Sequence, residues 1–451
     1  MQVLKKNQEV LLTIKRLGIN GEGIGYYKKM AVFVDGAIPD EEVIVRIDTL
    51  ADKHATGSVV GVKKRVSTRA KPFCVHYDTC GGCQLQHIVL NEQYRLKQQL
   101  IVQALERYAD IKPDTLPILE FDVDHHDRYY RFKAQMPVRN TPTGLVTGLY
   151  RKNSQALVDV LDCPVQDKRI NAINQEVLRL AEEHDIRALD TKTFKGLLRT
   201  LVTRVSKATG EIQVTLVVSI YNFALKDLAQ EILTLPDVVS VAISKHHNVK
   251  DTKIFGETFE VLAGVQTITE KLGDITYRLN PKAFFQLNPE IAKQMYDYIR
   301  TLLSPKDNTL VDLFCGAGAI SLYLADQFQK VVGIDASKES IEAAHLNAQD
   351  NAIDQAKFIC DDAAQGLNRL KETFDCAIFD PPRTGCGDAL IQSLKQRKIP
   401  KLIYVSCNPS TLGKDCAQLQ SLYTIESIKP FDMFPHTSHV ESVTLLSLKN
   451  P

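Results

Sequence analysis

A cysteine that closes a short apolar strand is the first residue in this chain with chemistry in reach. Leu402-Ile403-Tyr404-Val405 is a run suited to a strand buried on both faces of a parallel sheet, and Ser406-Cys407-Asn408-Pro409 breaks it into a polar turn. Ligand sites in open α/β sheets lie at such carboxyl ends of strands. A thiolate at that position is a nucleophile, whereas a thiol packed there is only a small hydrophobe, the commoner fate of a free cysteine. Three further cysteines, Cys74, Cys80 and Cys83, fall within ten residues of one another. The glycines between Cys80 and Cys83 let two sulfurs turn toward one centre, which Cys74 can reach across a short loop. Cys163, in Asp162-Cys163-Pro164, is the only other cysteine before residue 300. Four thiolates suit an iron–sulfur cluster, whose ligand runs often end in Cys-Pro, and they also suit a structural zinc.

The elements around Cys407 read as a cofactor site. The strand-like TLVDLF runs into Cys315-Gly316-Ala317-Gly318, with the helix-like AISLYLADQF behind it. Gly316 and Gly318 let the backbone approach a ligand that faces a helix N-terminus. KVVGID then ends at Asp335, 17 residues beyond Gly318, where a carboxylate can accept from both ribose hydroxyls. A nicotinamide or an adenosyl cofactor would fit. The run FDCAIFDPPRTG decides between them, because Asp380-Pro381-Pro382 is an arrangement associated with class I S-adenosylmethionine (SAM) methyltransferases. Cys315 would face that cofactor and not a substrate, and Cys360, Cys376, Cys386 and Cys416 are expected to be packing residues.

A chain of 451 residues exceeds one hydrophobic core. Residues 1–60 show short alternating runs between Gly, Pro and Asp turns, as five strands of an OB-like barrel would; Gly21-Glu22-Gly23-Ile24-Gly25 precedes strands and is no dinucleotide loop. Residues 61–280 mix helix-like and strand-like runs, an α+β pattern, with helices expected at Leu90 to Tyr108, Arg169 to Glu183 and Leu225 to Leu233. Residues 281–451 alternate strand and helix, as a doubly wound α/β domain does. No signal segment and no membrane-length apolar run is present, so a cytoplasmic, monomeric protein away from membranes is expected.

Formal net charge is only +1, yet the basic residues are clustered. Lys53 to Tyr77 holds six basic residues and no acidic one, and Arg128 to Val158 holds six more with Tyr129, Tyr130, Phe132 and Tyr150 among them. Cations for phosphates beside rings for unstacked bases suit single-stranded RNA.

With these motifs assembled, the chain resembles the RNA 5-methyluridine (uracil-C5) methyltransferases, in particular the iron–sulfur branch acting on 23S ribosomal RNA, and residues 1–60 resemble a TRAM domain. The resemblance rests on that module, on Cys74, Cys80, Cys83 and Cys163, on Phe284-Phe285-Gln286-Leu287-Asn288, Asp312-Leu313-Phe314-Cys315-Gly316, Asp380-Pro381-Pro382-Arg383 and Ser406-Cys407-Asn408-Pro409, and on the C-terminal Phe434 to Glu441 run, FPHTSHVE. It implies that Cys407 adds to uracil C6, that C5 takes the methyl of SAM, and that Glu441 removes the C5 proton. Asp380 would hold the uracil edge. Gln286, Phe314, Asp335 and Asp362 match the family's SAM contacts, and the four cysteines would hold a 4Fe-4S cluster, with zinc as the competing assignment. A 23S rRNA loop is the expected partner, with two uridines as targets in some members. Tyr129, Tyr130 and Phe132 are candidate stackers. A tRNA (uracil-C5) methyltransferase and a non-catalytic RNA-binding relative are the alternatives.

Overall fold

Alternation closes the N-terminal barrel. Along the strand Glu9–Leu17, Val10, Leu12 and Ile14 point inward and are buried while their neighbours face water. Strands Gly23–Tyr27, Met30–Asp35, Glu42–Leu50 and His54–Lys64 complete a closed five-stranded barrel, leaving no free edge. The computed structural model describes residues 4–115, 117–122, 126–248, 251 and 253–449. The first three residues of the expected barrel domain and the last two of the C-terminal one lie outside the described residues.

The middle of the chain forms a seven-stranded sheet, in spatial order Thr258–Gly264, Val238–Lys245, Ile212–Val218, Leu198–Val205, Lys133–Thr141, Gly144–Tyr150 and Leu157–Asp159. Helices Lys168–Glu183 and Ala224–Ile232 place their apolar stripes on it. Strand Thr258–Gly264 forms one edge of this sheet, antiparallel to Val238–Lys245.

Two segments of residues 61–280 pack with the C-terminal core. The hairpin Ile268–Leu272 and Ile275–Leu279 buries Ile268, Leu272, Tyr277 and Leu279 there. Helix Leu90–Ala109 sets Ile101 and Leu105 against Leu412 and Cys416 of helix Pro409–Leu419. The approach is close enough that a Cβ at Gly413 would stand 2.6 Å from the Ala104 carbonyl oxygen, so only glycine fits.

The C-terminal sheet runs Ala356–Cys360, Lys330–Asp335, Thr309–Leu313, Cys376–Phe379, Lys401–Ser406, Glu441–Leu448 and Tyr423–Phe431, its first five strands parallel and its last two antiparallel. Lys401–Ser406 thus has a parallel neighbour on one side only, a departure from the all-parallel surroundings its apolar sequence suggests. The strand order reverses between Thr309–Leu313 and Cys376–Phe379, which opens a crevice at their carboxyl ends. Among the described residues no helix is long and apolar enough to cross a membrane.

Candidate active site

A cavity of about 690 Å³ lies at that crevice, and Cys407, Asp380, Glu441, Gln286, Phe314, Gly316 and Asp335 all line it. Sheet register brings the reactive groups together. Ser406 pairs with Ser442, which sets Cys407 across from Glu441 at the strand ends, and Phe379 pairs with Tyr404, which brings Asp380 alongside. Asn408 caps helix Pro409–Leu419 through the Ser410 amide and donates Nδ2 to the Arg383 carbonyl at 3.0 Å, pinning the turn after Cys407 to the turn after Asp380.

The glycine turn has the geometry its sequence implies. Phe314 (φ 65°), Gly316 (φ 56°) and Gly318 (φ 81°) all take left-handed backbone, and the Gly316 amide donates to Asp335 Oδ2 at 3.0 Å. Asp312 lies beneath the turn. Its Oδ2 accepts from Ser321 Oγ, while Oδ1 is buried at the cavity wall with no partner among the described residues. Burial raises that carboxyl to about 7. An orphaned carboxylate oxygen beside Gly316 and Asp335 fits the ammonium end of SAM, so the residues present suit that cofactor.

Electrostatics at the reacting end run against ionisation. Burial, then the charges of Glu441 and Asp380, push the Cys407 thiol up to about 12. Burial and then Asp380 raise Glu441 to about 8, and burial raises Asp380 to about 7. The opposing charge is Arg383, which lowers both Cys407 and Glu441. Its guanidinium lies 2.6 Å from His439 Nδ1, and burial followed by Arg383 depresses His439 to about 4. His439 is therefore neutral at pH 7.

The loop carrying His439 is clamped from outside the catalytic sheet. Lys97 Nζ, fully buried, pairs with Asp432 at 2.5 Å and donates to the Phe434 carbonyl at 3.1 Å. The Gln84 and Leu85 amides both donate to the His436 carbonyl, and Gln93 and Asp127 hold the His436 ring. His436 is scaffolding.

Cys74, Cys80, Cys83 and Cys163 line one small pocket of their own, together with Arg131. None forms a disulfide. Burial raises Cys83 to about 12 and raises Cys80 and Cys163 as well, while Arg131 lowers all three. Among the described residues no three His, Cys, Asp or Glu side chains close on a single ion. Four thiols lining one pocket are a donor set that suits a thiolate-held group, iron–sulfur cluster or zinc alike.

Some expected residues fall elsewhere. Asp362 is not in the cavity lining; its Oδ1 caps helix Ala363–Arg369 through the Ala364 and Gln365 amides. Gly318 starts the helix behind the turn without lining the cavity. Tyr130 is buried with its hydroxyl on the Pro435 carbonyl, so it is no stacking platform. Cys360 is exposed, whereas Cys376 and Cys416 are packed. Residues given no role from sequence also line the cavity, among them Asp312, Tyr296, Arg383, Arg131 and Phe434. Arg383 was detectable as the cation following Asp-Pro-Pro, but nothing in the run around Arg131 distinguishes it from its basic neighbours.

The chain is similar to known proteins over nearly its whole length. The tRNA (uracil-5-)-methyltransferase family model matches residues 91–449, and the TRAM domain model matches residues 3–60. An uncharacterised RNA methyltransferase of Halalkalibacterium halodurans is 41% identical over 98% of this chain and 97% of its own length. One from Listeria innocua is 39% identical over 98% of each chain. Among solved structures, the Pyrococcus abyssi tRNA (uracil-54, C5)-methyltransferase with S-adenosyl-L-homocysteine is similar with a TM-score of 0.76 and 28% identity, across 96% of this chain and 98% of that one.

Proposed function

We propose that this chain, which belongs to the tRNA (uracil-5-)-methyltransferase family and carries a TRAM domain, methylates uracil C5 in a looped segment of 23S ribosomal RNA. The observation that carries the reaction is the convergence of Cys407, Asp380 and Glu441 on the cavity that also holds the glycine turn and Asp335.

Uracil C5 is a weak nucleophile until C6 is substituted. Cys407 loses its proton to solvent and Sγ adds to C6, with the π electrons moving to O4. Asp380, poised near neutrality at about 7, donates to that edge of the ring when protonated. SAM, when bound against Asp312, Asp335 and Gly316, supplies an electrophilic methyl. Once C5 has taken it, Glu441 removes the C5 proton, the C6–S bond breaks, and Cys407 leaves as thiolate. Arg383 favours both anions that this sequence needs. The four-cysteine pocket would hold a 4Fe-4S cluster as a structural tie between residues 74–83 and Cys163.

Cys74, Cys80, Cys83 and Cys163, together with the basic and aromatic residues Tyr150, Arg151 and Lys152 along the barrel-side groove, support the rRNA reading. tRNA is the second reading, favoured by the archaeal tRNA enzyme. The barrel cannot decide against tRNA, because that enzyme spans 96% of this chain, the barrel included. Labelled methyl transfer to unmodified 23S rRNA fragments and to unmodified tRNA separates the two. Strong transfer to tRNA with none to rRNA would sink the rRNA assignment.

A further inference from the structure

Among the described residues, Arg131 alone lines both the four-cysteine pocket and the catalytic cavity. The backbone around it ties three loops. The Arg131 amide donates to Val165 O and its carbonyl accepts from Asp167, next to Cys163; Phe132 N donates to Leu287 O beside Gln286; and Tyr130 Oη donates to Pro435 O. The side chain continues that bridge. Its guanidinium lies 5.3 Å from the Phe434 ring, itself in the cavity wall, and 5.9 Å from the Tyr130 ring.

No carboxylate is among the groups that act on Arg131, and its Nε is buried without a hydrogen-bond partner; burial disfavours its charge, and the Tyr130 hydroxyl, then Cys83 and Cys163, favour it. A buried cation in that condition is costly unless something supplies the counter-charge. The groups facing it from the cysteine side are the sulfurs of Cys80, Cys83 and Cys163, and from the catalytic side the neutral His439 and the space reserved for substrate.

We infer that Arg131 is a positioning residue linking the two sites: thiolates of the metal-holding pocket fix its guanidinium, and the fixed guanidinium with Phe434 sets the wall against which the target nucleotide is held. This rests on the reading that the four cysteines hold a metal group. It makes the cysteine pocket a determinant of RNA affinity through one side chain, and leaves the methyl-donor end untouched.

The test uses the full chain purified anaerobically, as wild type, Arg131→Met, Arg131→Lys, Cys83→Ser and the Arg131→Met/Cys83→Ser double variant. Four quantities are read: metal and acid-labile sulfide per chain, the rate of metal loss to a chelator, affinity for S-adenosyl-L-homocysteine, and KM and kcat for methyl transfer to total RNA from cells lacking the enzyme. Total RNA keeps the outcome independent of which RNA is the substrate. Arg131→Met is expected to lose metal ~10-fold faster and to raise the RNA KM ~10-fold, with kcat and homocysteine-analogue affinity within ~2-fold of wild type. Arg131→Lys, which keeps the charge, restores metal retention. The double variant raises KM no further than either single change, because both act through one contact. Wild-type metal loss and KM in Arg131→Met, or additive effects in the double variant, would overturn the link. If Arg131→Met fails to bind the analogue, Arg131→Lys decides: its metal must be lost no faster than in wild type while its KM rises. Zinc in place of iron refutes the cluster assignment alone, since metal release and KM are still read. A KM defect in protein that never held metal refutes the inference.

Discussion

The charges that act on Cys407 are chiefly those of Glu441 and Asp380, with Arg383 opposing them, whereas Cys80, Cys83 and Cys163 feel the guanidinium of Arg131 and no carboxylate. Burial raises the thiols in both places. The second-largest influences on Cys407 are Glu441 and Asp380, which raise it further, while Arg131 lowers the other three. A cation suits thiolates that stay ionised as ligands. Carboxylic acids suit a thiol that ionises only to react, and they guard it against adventitious chemistry while the site is empty. The same residue type is thus set to opposite tasks by the sign of its neighbours.

The sharpest way to break this contrast is to exchange the losses. Cys407→Ala should reduce methyl transfer at least ~10⁴-fold and abolish the covalent adduct with 5-fluorouridine RNA, with metal content unchanged. Cys83→Ser should do the reverse, losing metal while still forming adduct. An adduct that persists in Cys407→Ala, seen as a band shift on denaturing gels, would move the nucleophile elsewhere.

Glu441→Gln comes next in size. Without the base, kcat should fall ~10²–10⁴-fold, and the methylated adduct on natural RNA should accumulate because elimination cannot follow. Mass spectrometry of the trapped complex distinguishes a methylated from an unmethylated adduct. Only the unmethylated one would place Glu441 before methyl transfer.

The buried Lys97–Asp432 pair holds the start of the loop that carries Phe434 and His439 into the catalytic cavity. Removing one partner strands the other charge, so Lys97→Met should destabilise the protein by ~3–5 kcal/mol, measured by denaturant unfolding. A loss below ~1 kcal/mol would mean that the loop from Asp432 to His439 is held by its other hydrogen bonds.

How far these pockets were legible in the sequence follows from how they are encoded. Cys407, Asp380 and the glycine turn each end a strand, so hydrophobic runs bounded by turn residues exposed them, and parallel register did the gathering. The same local patterning revealed helices Lys168–Glu183 and Ala224–Ile232. Arg131 was invisible as anything more than one cation in a basic run, because its significance comes from Cys163 and Phe434, far away along the chain. Tyr130 misled for a related reason: a tyrosine among arginines reads as an exposed ring, and only the Pro435 carbonyl explains its burial. The packing of helix Leu90–Ala109 on the C-terminal core was likewise unreadable, since Gly413 shows nothing unusual until the facing helix is in place.

The smallest expected effect tests the carboxylic side of the comparison through stability. Glu441 is raised from 4.5 to about 8 and Asp380 from 3.8 to about 7, so the folded chain holds protons that the unfolded chain releases. Stability depends on pH with the sign of protons bound unfolded minus protons bound folded, which is negative here. The favourable contribution is complete below about pH 4 and declines as pH rises through the folded values near 7 and 8. Glu441→Gln has no proton to lose and also removes the charge facing Asp380, so its contribution does not decline. At pH 5 the variant and wild type should melt together; at pH 8.5 the variant should melt higher by roughly 2–4 °C, the shift that ~1 kcal/mol produces in a domain of ~150–250 residues. Catalysis needs Glu441 ionised and Asp380 protonated, so wild-type kcat/KM should rise from pH 5, pass through a maximum between about pH 7 and 8 and then fall. Parallel melting curves for the two proteins from pH 5 to 8.5 would mean that Glu441 is ionised throughout, and the carboxylic pocket would then hold Cys407 as a thiol by the charge of Glu441 at neutral pH as well.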